Sequence, residues 1–460
     1  VDVTLELLRK YDRPGPRYTS YPTAVEFTTD FTARHYADRL AQADRYPDAP
    51  LSLYVHLPFC ETRCLFCGCN VVVTRKPEVA EGYLETLHRE IALLADHLPH
   101  RRRLSQYHWG GGTPTYLRPA QIEALHRAVA AHFEVLPDAE VAIEVDPRVT
   151  SFEQVLLLRK LGFNRISMGV QDFTTEVQNA VRRCQTEEQT RALHDECRRV
   201  GFDSINFDLI YGLPLQTPET FARNMETVIE LRPDRLAVYS YAYVPWLKAH
   251  QKRIDAAAVP DPATKLRLFC IAREMLLHAG YRQIGMDHFA LPDDELVLAA
   301  RDGRLHRNFM GYTVKRGGDM LGVGTSAIGD VQGGLAQNTK KLSTYGEAIR
   351  SGRFPIERGV LLDEDDRIRR DVITRLMCNL RLEIGEVESR FDIDFADYFA
   401  AELDELRAPG GPVEHGFVEV EPGRLAIVGN GALFVRNVCM VFDRYLRREE
   451  PGAPRFSRTV

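Results

Sequence analysis

Nowhere in the 460 residues is there a run of roughly 18 apolar side chains, so the sequence offers no membrane-spanning helix. The opening stretch VDVTLELLRKYDRPG lacks the long apolar segment of a secretory signal, and a cytoplasmic location is expected. Charge of one sign is not in excess either, since 59 basic side chains stand against 65 acidic ones. Nothing global therefore favours nucleic acid as a partner, and any anion site has to be built locally. The basic run Arg101 to Arg103 reads as a solvated helix end. A disulfide framework is missing too. The nine cysteines are odd in number, and four of them crowd between positions 60 and 69 instead of spreading in pairs over a small chain. No internal repeat is evident beyond the alternation described next.

What is present is the balance of a globular protein, with 44% hydrophobic and 27% charged residues. The length suits two or three folding units, or one large α/β barrel with additions. From residue 51 a rhythm begins. LSLYVHL, SQYHW, EVAIEV, NRISMGV, SINFDLI and DRLAVYSY read as six short apolar strands, each followed by a stretch with helical spacing. Such alternation implies a parallel sheet. The expected fold is α/β, an incomplete parallel (β/α)6 barrel. The cysteines, Gly110 to Gly112, Glu144, Gln171, Asp208 and Tyr241 all fall at or just past the carboxyl ends of those strands, where parallel barrels bind ligands.

Four parts are expected. Residues 1–47 form an N-terminal extension and lid, 48–290 the partial barrel, 291–362 a Gly-rich connecting segment that completes the site, and 363–460 a mainly helical C-terminal domain. Near the start, GPRYTSYP is too polar for a core strand and too proline-bound for a helix.

The central motif is Cys60-x3-Cys64-x2-Cys67-x-Cys69. Three thiolates on one short loop can each take a corner iron of a [4Fe–4S] cube, leaving the fourth iron open. A structural zinc site would pair such cysteines with a second, distant ligand pair, and none with that spacing is evident. The remaining cysteines, Cys184, Cys197, Cys270, Cys378 and Cys439, read as buried small hydrophobes. HWGGGTPTYL places Gly110, Gly111, Gly112 and Thr113 directly after a strand, where a bare backbone can approach a ligand closely. Glu144, Gln171, Arg183 and Asp208 add hydrogen-bonding groups and a cation to the same rim.

PRYTSYPTA, CETRCLFCGCN, HWGGGTPTYL, IEVDPR, FNRISMGVQDF, DLIYGLP, IGMDHFA, LHRNFMGYT, IRRDVI and RNVCMVFDRYLR carry a resemblance that spans the chain. The sequence resembles the oxygen-independent coproporphyrinogen III oxidase family, radical S-adenosylmethionine (SAM) enzymes of haem biosynthesis. The resemblance implies a radical SAM barrel and a [4Fe–4S] cluster on Cys60, Cys64 and Cys67. It implies a first SAM near Tyr54, Gly111, Glu144 and Ile328. A second SAM would lie near Phe66, Gly112, Thr113, Gln171, Arg183, Asp208 and Ala242. Cys69 would not ligate the cluster but would lie near the reacting atoms, and the loop with Tyr18 and Tyr21 would close over substrate. The implied reaction converts two propionates of coproporphyrinogen III to vinyl groups by a 5′-deoxyadenosyl radical, giving protoporphyrinogen IX. A flavodoxin- or ferredoxin-like electron donor and a monomeric state are expected. Position 310 departs from the family, which leads one to expect Gln where this chain has Met310. Two alternatives stand beside this reading: a haem-trafficking chaperone related to the family, and a radical SAM enzyme acting on another carboxylate.

Overall fold

In the computed structural model, residues 5–315, 318–447 and 455–459 are described. Positions 1–4, 316, 317, 448–454 and 460, which belong to the extension, the Gly-rich segment and the C-terminal domain expected above, lie outside the described residues. The central sheet strands are β1 (Leu51–Leu57), β2 (Arg103–Gly111), β3 (Glu134–Val145), β4 (Arg165–Gln171), β5 (Ser204–Tyr211) and β6 (Arg235–Ser240). They lie side by side in chain order and pair in parallel throughout. Helices over Pro77–Asp96, Pro119–Ala130, Phe152–Lys160, Glu187–Val200 and Pro218–Leu231 make the crossovers. Their starts are fixed locally. Ser151 and Thr186 each accept the backbone N–H three residues on, at 3.2 Å, relieving donors that a helix end leaves unpaired.

The rhythm in the sequence stops near residue 290, but the sheet does not. β7 (Arg282–Ile284) and β8 (His288–Ala290) extend it antiparallel beyond β6. β9 (Asp319–Val323) pairs in parallel with β1 on its other side, and β10 (Ile328–Val331), β11 (Gly334–Asn338) and β12 (Ile356–Leu361) follow as antiparallel neighbours. The sheet has twelve strands and stays open, with β12 and β7 at its edges. The Gly-rich segment is thus sheet and not merely a connection. Glycine permits it: a Cβ at Gly322 would meet the Ile328 carbonyl oxygen at 2.5 Å.

The six parallel strands are not apolar on both faces. Leu51, Leu53, Val55, Trp109, Ile143, Met168 and Phe207 pack in the main core under the helices. Their alternates His108, Glu140, Glu144, Ser167, Asn206, Asp208 and Tyr239 line a cavity of about 130 Å³ on the other face. Charges at the amino ends of β4 and β6 are paired, with Arg235 Nε on Asp294 at 2.7 Å and Arg165 Nε 3.6 Å from Glu140. Arg101 is no solvated helix end. It is 1% exposed and ion-paired to Asp319 of β9, so it ties the start of β2 to the far side of β1.

The C-terminal region is chiefly helical, with helices over Glu364–Asn379 and Val435–Val441 and a small sheet of Arg381–Glu383, Val418–Glu421 and Arg424–Ile427. Its core also takes in Tyr11, Tyr18 and Tyr21 from the other end of the chain. Of the scattered cysteines, Cys197, Cys378 and Cys439 are buried as expected. Cys184 is exposed and Cys270 half-buried, which corrects the reading of all five as core. Cys184 lies just past a short helix and donates to Asn179 Oδ1 at 3.2 Å, so its thiol is satisfied near the surface.

Candidate active site

The cysteine loop begins where β1 ends. Phe59 and Cys60 pair in parallel with Val72 and Val73, which closes the loop on itself. Its interior is pinned by neighbouring strand-end segments. The Leu65 N–H donates to Val181 O at 2.8 Å, and Gln251 Nε2 donates to Phe66 O and Ala242 O at 3.1 Å each. His250 Nε2 lies 2.8 Å from Cys67 O. Phe66 packs against a small cluster that includes Leu65, Val181 and Tyr241.

The four thiols sit in different surroundings. Cys60 Sγ lies 3.6 Å from the Thr113 hydroxyl, and burial pushes its thiol up to about 11. Cys64 is buried, with guanidinium nitrogens of Arg148 and Arg183 each 3.7 Å from its sulfur. The hydrogen bond from the Cys69 thiol brings Cys67 down to about 6, and the same bond drives Cys69 up. Among the described residues, no three His, Cys, Asp or Glu side chains converge on a point as one metal ion requires. A cube needs no such convergence, because each thiolate takes its own corner iron. Three thiols on one loop, with two guanidiniums beside the innermost, fit a [4Fe–4S] cluster.

The three glycines after β2 stand where three elements meet. A Cβ at Gly110 would lie 2.8 Å from Glu144 Oε1, and one at Gly112 would lie 2.6 Å from the Pro58 backbone. Gly111 has φ +119 and would press a Cβ to 2.6 Å from the His56 ring. This lets Glu144 accept the Gly111 N–H at 3.0 Å, with His108 Nε2 3.5 Å away. Burial raises the Glu144 carboxyl, but His108 and the Gly111 N–H outweigh it and hold the group below its ordinary value. Tyr54 stacks on His108 at 5.9 Å and bonds His56 Nδ1 at 3.0 Å. Ile328, at the head of β10, adjoins this group through Gly322, which pairs with Tyr54. The residues expected around the first SAM therefore share one corner of the rim.

The second set is more dispersed. Thr113 donates its N–H to Phe59 O at 2.8 Å, and Gly112 donates to Leu57 O at 2.8 Å, so both lie along the cysteine loop. Asp208 accepts from Ser167 at 3.0 Å and from Asn206 at 2.9 Å in the cavity it shares with Glu144. Burial, and then the nearby Glu144 charge, raise its carboxyl to about 6. Gln171 takes a left-handed φ of 69° as the strand ends. Arg183 is buried, bonds Asp146 at 3.0 Å and Gln185 at 3.2 Å, and its Nε has no hydrogen-bond partner among the described residues. Met310 lines the wall of the Glu144–Asp208 cavity.

The N-terminal loop lies against the rim beyond β6. Arg17 donates to Ser240 O at 2.5 Å, and Arg307 donates to Arg17 O at 3.3 Å. The hydroxyls of Tyr18 and Tyr21, on the loop expected to close over substrate, are engaged with the C-terminal region. Tyr18 donates to Asp443 at 2.9 Å, and the Tyr21 hydroxyl accepts the Arg444 N–H at 3.3 Å. The C-terminal core has taken both rings because it offers them apolar cover and a partner for each oxygen.

Sequence reasoning missed His56, His108, Asp146, Arg148, His250, Gln251 and Arg307. Asp146 and Arg148 lie inside the IEVDPR run, where only Glu144 was singled out. Arg148 and Arg183 converge on Asp146, at 2.7 and 3.0 Å. His56 and His108 had a signal in the alternation of β1 and β2. The rest depend on contacts that no local pattern announces.

Comparison with known proteins bears on this geometry. A family described as the Radical SAM superfamily matches residues 54–228, and one described as the HemN C-terminal domain matches residues 362–434. The oxygen-independent coproporphyrinogen III oxidase of Escherichia coli K12 is 48% identical over 460 residues, covering 100% of this chain and 99% of that protein. The protein of the same name from Pseudomonas aeruginosa is 44% identical, over 99% of this chain and 98% of the relative. The solved structure of coproporphyrinogen III oxidase from Escherichia coli, described as a radical SAM enzyme, matches with a TM-score of 0.90 at 47% identity. That match covers 97% of this chain and 99% of the other.

Proposed function

Since the chain belongs to the oxygen-independent coproporphyrinogen III oxidase family, we propose that its rim carries out that family's reaction with the residues described above. The protein is an oxidoreductase that converts two propionate side chains of coproporphyrinogen III to vinyl groups, giving protoporphyrinogen IX in haem biosynthesis. The [4Fe–4S] cluster, when bound, supplies one electron to the sulfonium of SAM, which releases methionine and a 5′-deoxyadenosyl radical. Each propionate would give one hydrogen atom to a 5′-deoxyadenosyl radical, forming 5′-deoxyadenosine, and then release carbon dioxide and pass one electron to a one-electron acceptor.

The observation that carries this reading is a juxtaposition. The cysteine loop and the cation Arg17 stand at the carboxyl ends of the parallel strands, the cavity of Glu144 and Asp208 runs along the polar face of the same sheet, and Arg307 reaches the backbone of Arg17. Cys60, Cys64 and Cys67 would hold the cluster, while Cys69 stays beside it. Tyr54, Gly111, Glu144 and Ile328 would position the SAM bound there, with Glu144 ionised and able to accept hydrogen bonds from hydroxyl or ammonium groups. Phe66, Gly112, Thr113, Gln171, Arg183, Asp208 and Ala242 would hold a second SAM. The unpartnered Nε of buried Arg183 supports that assignment, because such a donor gains from an anionic or carbonyl ligand. Arg17 and Arg307 would receive substrate carboxylates, and the loop carrying Arg17 would exclude water from the radical. A one-electron carrier protein would reduce the cluster, and the chain would work as a cytoplasmic monomer.

The test is anaerobic incubation of reconstituted protein with SAM, a reductant and coproporphyrinogen III. Products are separated by chromatography. Protoporphyrinogen and 5′-deoxyadenosine are expected together. Haem binding without porphyrin turnover would overturn the reading in favour of trafficking.

A further inference from the structure

Two surfaces approach the cysteine loop from outside. One is a groove of about 470 Å³ beside Cys60, where Glu61, Asp146 and Glu153 are offset by Arg118 and Arg148. The other lies beside Cys67, on the segment that follows β6. Gln251 and His250 clamp that segment to the carbonyls of Phe66 and Cys67, so it cannot move independently of the loop. At its crest Trp246 is 47% and Leu247 60% exposed, large apolar side chains held out into solvent.

Around this crest the charge is lopsided. Lys248, Lys252 and Arg253 come from the segment itself, Arg63 from the cysteine loop and Lys340 from beyond β11. Against these five cations stand the carboxylates of Asp255, which accepts the Ala257 N–H, and Glu357, which accepts the Lys340 N–H. Arg63, Lys248 and Arg253 stand within electrostatic reach of His250, and Arg358, Glu357 and Lys248 within reach of Lys340. Like charges gathered on a chain of net charge −6 cost energy unless something anionic visits them.

From this we infer that the Trp246–Arg253 face is the docking surface for an acidic one-electron carrier protein that reduces the cluster. The inference rests on the reading of Cys67 as a cluster ligand. Its logic is short. A cluster that accepts one electron per turnover must take it from a donor that comes close. The basic apolar crest begins at the backbone of Cys67, whereas the groove beside Cys60 is close to charge balance. An aromatic and aliphatic centre with a charged rim is the composition of a transient protein interface, in which the charges chiefly speed encounter. The carrier gives up one electron and the cluster gains it, with no bond made or broken.

The experiment compares two reductants on the reconstituted full chain, following 5′-deoxyadenosine. Dithionite needs no docking surface; reduced flavodoxin, used as the acidic probe, does. The double variant Lys252→Glu with Arg253→Glu should raise the KM for flavodoxin about tenfold or more and flatten its salt dependence, whereas Leu247→Ser should raise that KM and leave the salt dependence as in the wild type. Iron content and the dithionite-driven rate should stay at the wild-type level. An unchanged flavodoxin KM would overturn the inference. So would an equal loss with dithionite, which would mean that the face supports the cluster itself. A raised KM for coproporphyrinogen III under dithionite would instead make it the substrate's approach and also overturn it. If the wild type cleaves SAM with dithionite but with no protein carrier, the reading of a protein donor fails, separately from any effect of the variants.

Discussion

On the β1–β3 side of the rim, the cysteine loop is held by its barrel neighbours, through Leu65 on Val181 and Gln251 on Phe66. On the β6 side, the loop carrying Arg17 and Tyr18 is held by the opposite end of the chain. Arg436 donates to Pro16 O at 2.9 Å across 420 residues, and Tyr18 reaches Asp443 across 425. One half of the site therefore forms with the barrel. The other waits until both ends of the chain have met. The difference predicts that damage to either half should leave the other standing.

The largest effect is expected at the cysteines. Cys60→Ser, Cys64→Ser or Cys67→Ser should abolish the four-iron cluster, since an alkoxide is a poor substitute for a thiolate on iron. Cys69→Ser should keep its iron. Iron analysis and the absorbance of reconstituted protein decide this; equal iron loss in Cys69→Ser would mean the ligand assignment is wrong. Chemical denaturation of the cysteine variants without metal should match that of the wild type without metal, because the loop is held by backbone contacts.

A second expected effect concerns pH and the cysteine side only. Glu90, on the helix that follows the cysteine loop, accepts from the Gly324 N–H at 2.6 Å, from Asn338 at 2.7 Å and from Tyr345 at 2.6 Å. It thereby locks β9 and β11 to that helix. Burial raises its carboxyl from 4.5 to about 7. Between those values the folded chain keeps a proton that the unfolded chain has lost. Stability should therefore fall as pH rises from about 4.5 through about 7, by on the order of 3 kcal/mol. Urea midpoints across that range should fall more steeply in the wild type than in Glu90→Gln, where Asp208, raised to about 6, still contributes below that pH. The same slope in both would remove Glu90 as its source.

A smaller effect is expected at the seam between the chain ends. Asp443→Ala leaves the Tyr18 hydroxyl buried without its acceptor, at a cost of about 1–3 kcal/mol. It should loosen the N-terminal loop, lower porphyrin turnover and spare SAM cleavage in the absence of substrate. Measuring both products in one preparation would show whether the two losses separate.

The same division explains what the sequence made legible. Strands β1 to β6 carry apolar alternation and each precedes a helix pattern, so the barrel and the cysteine loop are visible in local spacing. Strands β9 to β12 are not, because their glycines and short lengths lack periodicity and the pairing of β9 with β1, from which the others follow, is long-range. The strands read as short and apolar, yet His108, Glu140, Ser167 and Asn206 face the cavity, where polar lining replaces a second apolar layer. The start of β3 was hidden by Pro137, around which the pairing with β2 shifts register. Arg436 on Pro16 and Asp443 on Tyr18 could not be read at all: neither partner has a pattern that points across four hundred residues.

The most direct test of the divided rim is one anaerobic reaction run with the wild type and with Arg17→Gln, reading 5′-deoxyadenosine and porphyrins from the same sample. Arg17 donates to Ser240 O and shares a pocket with Tyr211 and Asp287, so its replacement removes a cation from the β6 side of the rim and none from the cysteine loop. The expected result is wild-type SAM cleavage without substrate, together with a KM for coproporphyrinogen III raised roughly tenfold or more, the loss of one charged contact. Loss of SAM cleavage with an unchanged KM for the porphyrinogen would contradict it.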